Sequence, residues 1–136
     1  MQYYGSGIQA CYRGPRLYDT PATMETVIRV VQWYKKYRDI LNADLIHLRR
    51  ADGRDWDGIM HVNPQLKEKG LVMLYNPLKE KINRTIQLPL YFTGLTNTVK
   101  IREKEKASKT YTLDRDYKAK VTVSIPAESY TWLILE

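Results

Sequence analysis

At 136 residues the chain has the size of one domain, long enough to bury roughly two thirds of its unfolded surface in a single core without disulfide staples. Its 43% hydrophobic and 27% charged residues exclude the disordered and collagen-like classes, and no apolar run approaches the roughly 20 residues of a membrane helix. Basic residues exceed acidic ones by 22 − 15 = +7, which raises the question of polyanion binding, but the excess is spread along the whole chain.

The first residues, MQYYGSG, lack the charged start and apolar stretch of a signal peptide, so they supply no address. Gln9 to Thr23 is a turn-rich loop running into a helix start. It contains Cys11, the single cysteine, which excludes an intramolecular disulfide and a Cys-rich zinc site. No motif places His47 or His61 near that thiol, so a structural role is favoured over a nucleophilic one.

The helix itself is well marked. Thr20 can cap, Pro21 suits the first helical position, and Met24, Val27, Ile28, Val31, Tyr34, Ile40 and Leu41 recur at three and four residue steps. The spacing predicts one amphipathic helix over Pro21 to Leu41. Arg29, Gln32, Lys36 and Asp39 mark its polar side, while Val30, Trp33 and Tyr37 widen the apolar surface beyond a narrow stripe, so the helix needs a partner layer.

From Asp44 the period changes to two. Strands are expected at Leu45 to Arg49, Trp56 to Val62, Leu71 to Asn76, Ile82 to Leu90, Thr98 to Glu103, Thr110 to Leu113, Lys118 to Ile125 and Tyr130 to Leu135, with no second helix. Ala51-Asp52-Gly53, Asn63-Pro64, Asn76-Pro77, Gly94, Asp114-Arg115-Asp116 and Pro126-Ala127 supply the turns. LVMLY and YTWLIL are apolar on nearly every residue, which implies central strands, whereas IQLPL and AKVTVSI alternate. The expected fold is therefore all-β, an antiparallel sandwich of about eight strands preceded by one amphipathic helix.

Chemistry is sparse. The densest basic run, Lys100, Arg102, Lys104, Lys106 and Lys109, is broken by Glu103 and Glu105 and alternates with Val99 and Ile101, the pattern of a strand with one wet face. Nucleic acid is accordingly not the expected partner. Asp55 with Asp57, and Asp114 with Asp116, sit in predicted turns, where capping of the backbone is favoured over paired-carboxylate catalysis.

If Asp52-Gly53 forms a two-residue turn, His47 pairs with Gly58 and His61 with Asp44, on opposite faces, so no shared metal is expected. Trp56, Tyr91, Phe92 and Tyr117 lie at strand ends or turns, where rings seal a core or stack on sugars. Asn83-Arg84-Thr85 fits the short acceptor pattern for N-glycosylation. No catalytic residue, cofactor site or metal site can be assembled.

The segments QACYRGPRLYDTP, YKKYRDIL, DLIHLRRADGRDWDGIMHVNP, GLVMLYNPL and LPLYFTGLT carry a resemblance over nearly the whole chain. The sequence resembles the carboxy-terminal region of α-galactosidase-like glycoside hydrolases of the Bacteroides type, in which a (β/α)8 barrel is followed by an antiparallel sandwich. The resemblance implies that residues 1–42 are the final loop and helix of a truncated catalytic barrel and 43–136 the complete sandwich.

On that basis the chain should be a non-catalytic accessory domain that packs against and stabilises its own upstream barrel, with the exposed helix able to self-associate in its absence. The parent is implied to be periplasmic or secreted. Catalytic aspartates of such enzymes lie upstream, so none carries over. Loops at the carboxyl ends of barrel strands build active sites, which makes Tyr12, Arg13 and Arg16 candidates for the edge of the parent's substrate pocket. Trp56, Tyr91 and Tyr117 are the candidate sugar platform of the rival reading, a carbohydrate-binding module. A polyanion-binding domain using the net charge is a further rival.

Overall fold

A computed structural model describes residues 1–9, 14–16 and 18–136. Cys11, Tyr12 and Arg13 lie outside the described residues.

The long helix, α2 (Pro21–Leu41), starts where its cap chemistry requires. Thr20 is extended and its Oγ1 accepts the Thr23 amide at 3.2 Å, with Pro21 at the first helical position. It ends at Asn42, whose amide returns to the Arg38 carbonyl, and the chain passes at once into the first strand.

The strands are β1 (Asp44–Arg49), β2 (Asp57–Val62), β3 (Gly70–Asn76), β4 (Ile82–Pro89), β5 (Thr98–Glu103), β6 (Lys109–Thr112), β7 (Lys118–Ile125) and β8 (Ser129–Leu135). They form an antiparallel six-stranded sheet in the order β1-β2-β3-β8-β5-β6 and a two-stranded sheet β4-β7. The fold is the expected mostly-β sandwich with a preceding helix. β3 and β8 hold the centre of the large sheet, as their two-sided apolarity requires.

Three layers result. The inner face of the large sheet meets β4-β7 through Met60, Val72, Leu74, Val99, Ile101 and Leu133, against Ile86, Leu88, Val121 and Val123. In β7 burial alternates residue by residue, with Ala119, Val121, Val123 and Ile125 inward. The outer face meets the end of α2, where Trp33, Tyr37, Ile40 and Leu41 pack on Leu71, Met73 and Ile134. The helix and the sandwich thus share a core across the short junction between them.

Three expectations need correction. A second, short helix exists: α1 (Gln2–Gly5) lies on the outer face, close enough that a Cβ on Gly5 would stand 2.7 Å from the Tyr75 hydroxyl. The β1–β2 connection is longer than two residues, spanning 50–56, with an irregularity between His47 and Arg49. Leu45 therefore pairs with His61 and His47 with Ile59, one residue away from the expected register. That slip reverses parity and puts both histidines on one face. Finally, Asp57 opens β2, as the strand expected over Trp56 to Val62 requires, so it does not share a turn with Asp55.

The helix meets the sheet with only part of the expected stripe. Ile40 and Leu41 from that stripe are joined by Trp33 and Tyr37, which only widened the apolar surface in sequence. Met24, Val27, Ile28 and Val31 form a second stripe, and no residue of α2 before Trp33 is buried.

Candidate functional site

The outer layer is the first place to look for function. Its docking onto the sheet is fixed at one point by Glu105, which accepts the Tyr37 hydroxyl at 2.8 Å and Lys36 Nζ at 2.7 Å. The Lys36 bond, then the Tyr37 bond, hold the Glu105 carboxyl below its usual range despite some desolvation. Trp33 stands edge-on to Trp132, with centroids 5.5 Å apart. The buried side-chain atoms without a hydrogen-bond partner among the described residues are Trp33 Nε1, His61 Nδ1, Tyr75 Oη, Arg102 Nε and Trp132 Nε1. By strand parity and packing, all five belong to this layer.

Beyond the docked end, α2 leaves Val27 41% and Ile28 46% exposed. Together with Met24 and Val31 they make a continuous apolar stripe on a helix whose other apolar side is already used. Arg16, the described member of the proposed pocket-edge set, is exposed on the loop before α2 and forms only a loose pair with Asp19 at 3.9 Å.

His61 lies beneath α1, 1% exposed, with Nε2 2.9 Å from the Gly5 carbonyl oxygen. Burial lowers its pKa, so the neutral ring donating through Nε2 is the stable form. His47 is exposed despite sharing that face. A cleft of about 670 Å³ opens where α1 meets the sheet, lined by Tyr3, Ser6, Asp57, Tyr75, Glu128 and Tyr130. Register places Asp57, Tyr75 and Tyr130 side by side across three strands. Burial raises the Asp57 carboxyl, opposed by Arg49, and pushes the Tyr75 hydroxyl up to about 12.

Asp52, Asp55 and Asp114 accept backbone amides in turns. Asp114 Oδ1 accepts the amides of Asp116 and Lys118, each at 2.9 Å, and Asp52 Oδ1 accepts the Arg54 amide. Asp55 accepts the Trp56 amide and pairs with Arg84 on β4. These bonds give Asp55 and Asp114, one member of each short-spaced pair, a capping role, while Asp57 lies in β2 and Asp116 meets Lys118 Nζ at 3.3 Å.

The aromatic residues divide. Trp56 is half-buried and packs against the inner core. Tyr91 and Tyr117 meet at the opposite end of the sandwich, because Pro89 at the end of β4 pairs with Lys118 at the start of β7. Tyr91 stands edge-on to Tyr117 at 5.6 Å and to Phe92 at 5.3 Å. All three are exposed, by 64% for Tyr91, 60% for Phe92 and 38% for Tyr117. Sequence reasoning named these rings but had no means of separating Trp56 from the other members, since the separation depends on which strand ends meet.

No protein-family model and no curated protein sequence matches the chain. Solved structures do match. An α-amylase from Geobacillus thermoleovorans complexed with acarbose is 12% identical, with a TM-score of 0.57 over 89% of this chain and 24% of that one. AmyP in complex with maltose is 6% identical, with a TM-score of 0.51 over 83% of this chain and 20% of that one. A GH27 β-L-arabinopyranosidase from Geobacillus stearothermophilus, solved with arabinose, scores 0.48 at 10% identity over 68% of this chain and 19% of that one, too distant to bear on the fold. The first two likenesses show a shared fold, and this chain spans between a fifth and a quarter of the length of those matched chains.

Proposed function

We propose that this chain is the carboxy-terminal accessory part of a glycoside hydrolase resembling the α-galactosidases. In this reading α2 is the last helix of a (β/α)8 catalytic barrel, the sandwich stabilises that barrel by packing on it, and the chain alone carries no catalytic residue. The observation that carries the reading is the stripe Met24, Val27, Ile28 and Val31, its centre Val27 and Ile28 exposed and its ends half-buried, on a helix already anchored by its other apolar side. Apolar surface of this kind marks an interaction face. Sandwich matches within much longer sugar-active proteins support the placement at the level of fold.

The geometry also sets how such an interface would work. α2 cannot swing freely, because its docked end is buried and tied through Tyr37 to Glu105. A partner seated on the free stripe is therefore held at a fixed angle to the sandwich. The test is a paired substitution, Val27→Asp with Ile28→Asp, made in the longer polypeptide obtained by continuing the reading frame upstream of Met1. The barrel transition should melt several degrees lower, while the 136-residue chain melts unchanged. An unaltered transition in the longer protein, or glycoside hydrolysis by the pure 136-residue chain, would overturn the proposal.

A further inference from the structure

The three rings at the β4/β7 end do not share the environment of the outer layer, and the accessory role gives them nothing to do. Their presentation is built into the fold. Tyr91 and Phe92 ride on a 3₁₀ turn, Tyr91–Thr93, held between two fully buried residues, Leu90 before it and Thr93 at its end. Thr93 Oγ1 donates to the Leu90 carbonyl at 2.6 Å, and the turn closes on Gly94 in the left-handed region at φ 73°. Between two buried anchors, the rings nevertheless point outward.

Tyr117 is held with comparable firmness. Its backbone is in the left-handed region at φ 57°, a conformation that a tyrosine adopts only when its surroundings impose it. Asp114 imposes it by gathering the amides of Asp116 and Lys118, and the Tyr117 carbonyl accepts the Leu90 amide at 2.8 Å. The last bond ties the two ring-bearing turns together.

The rings are not coplanar. Tyr91 stands at 87° to Phe92 and 74° to Tyr117, which makes an open corner instead of a flat strip. Beside Tyr117 lies a hollow of about 370 Å³ lined by Thr96, Asn97, Asp114 and Arg115. Of the three rings Tyr117 lines this hollow, and an aromatic corner with neutral and charged hydrogen-bonding groups beside one of its walls suits a compact polyhydroxylated ring with one apolar face.

We propose that this corner binds the terminal pyranose unit of a soluble neutral oligosaccharide. Tyr91 supplies the stacking face, Phe92 and Tyr117 wall it, and the hollow beside Tyr117 offers ring hydroxyls Asn97 and Asp114, whose Oδ2 also accepts Gln87 Nε2 at 3.3 Å. A flat polysaccharide surface is not the expected ligand, since it would need coplanar rings. The proposal goes beyond the accessory role and stands whether or not α2 covers a barrel.

The experiment is titration of the isotopically labelled 136-residue chain with raffinose and with maltotriose, followed by amide chemical shifts. Either sugar should shift residues 90–97 and 114–118, with a dissociation constant on the order of 1 mM. Tyr91→Ala should weaken binding by about tenfold, the loss of roughly one aromatic contact. Tyr117→Asn removes a ring and suits the left-handed backbone better, so it should weaken binding while melting at the same or a higher temperature. Val27→Asp should bind as the parent chain does. Absence of shifts with both sugars, shifts confined to other regions, or unchanged binding by Tyr91→Ala would each overturn the proposal.

Discussion

The two faces of the six-stranded sheet are finished to different degrees. The inner face is aliphatic, closed by β4 and β7, and among the described residues none of its buried side-chain polar atoms lacks a partner. The outer face is aromatic, covered by half of α2 and by α1, and holds all the orphaned buried side-chain polar atoms found among the described residues. A core that satisfies itself needs no neighbour, whereas indole and phenol groups buried without partners are costly to leave that way. The contrast separates what makes this chain fold from the layer on which the proposed accessory role depends.

If the contrast is sound, the two faces should respond differently to truncation. Leu133→Ala, in the sealed inner core, should cost about 3 kcal/mol, within the range for large-to-small core changes, and lower the whole unfolding transition in denaturant. Trp33→Ala, in the outer layer, should cost less, about 2 kcal/mol, and act locally. Hydrogen exchange would then quicken across α2 while β3, β7 and β8 keep their protection. Equal losses of protection in both regions would erase the distinction.

Acid should sharpen the difference. The His61 pKa is lowered in the folded state, so below the ordinary value of 6.5 the unfolded chain takes up a proton first and stability falls as pH drops. Glu105 is shifted the same way in effect: its contribution is present above 4.5 and is lost as pH falls through its lowered folded value. His61 acts on the outer layer as pH falls below 6.5, and Glu105 adds to it only below 4.5. Near-ultraviolet circular dichroism from Trp33 and Trp132 should therefore begin to weaken below pH 6.5, before far-ultraviolet signal from the sandwich changes. The smallest effect belongs to the free stripe. Val27→Asp in the 136-residue chain should shift stability by no more than about 0.5 kcal/mol by thermal melting, because nothing there is buried.

Which parts were readable in advance follows from range. The alternation in Lys118 to Ile125 and the two-sided apolarity of Leu71 to Tyr75 are local patterns, and they located the strands and the centre of the sheet. The Thr20-Pro21 signal located the helix start. The hairpin register was not readable, because it turns on one extra residue near His47 that leaves no mark on the hydrophobic pattern. The choice of helix face was hidden for a related reason. Two apolar stripes compete on α2, and only the shape of the sheet decides that Trp33 and Tyr37 dock.

The candidate site shows the same limit. Tyr91 and Tyr117 are far apart in sequence, and the β4–β7 register brings their rings together. α1 was missed because QYYG carries no amphipathic period; its place depends on the close approach of Gly5 to Tyr75. Nothing in local propensity could have announced that contact.

The central claim, that the free stripe of α2 is covered by a catalytic barrel belonging to the same polypeptide, is tested most directly by hydrogen exchange over residues 21–32. Amides there should exchange at least tenfold more slowly in the longer protein than in the 136-residue chain, while those of β3 and β8 change little in either. Identical exchange over 21–32 in the two proteins would contradict the account.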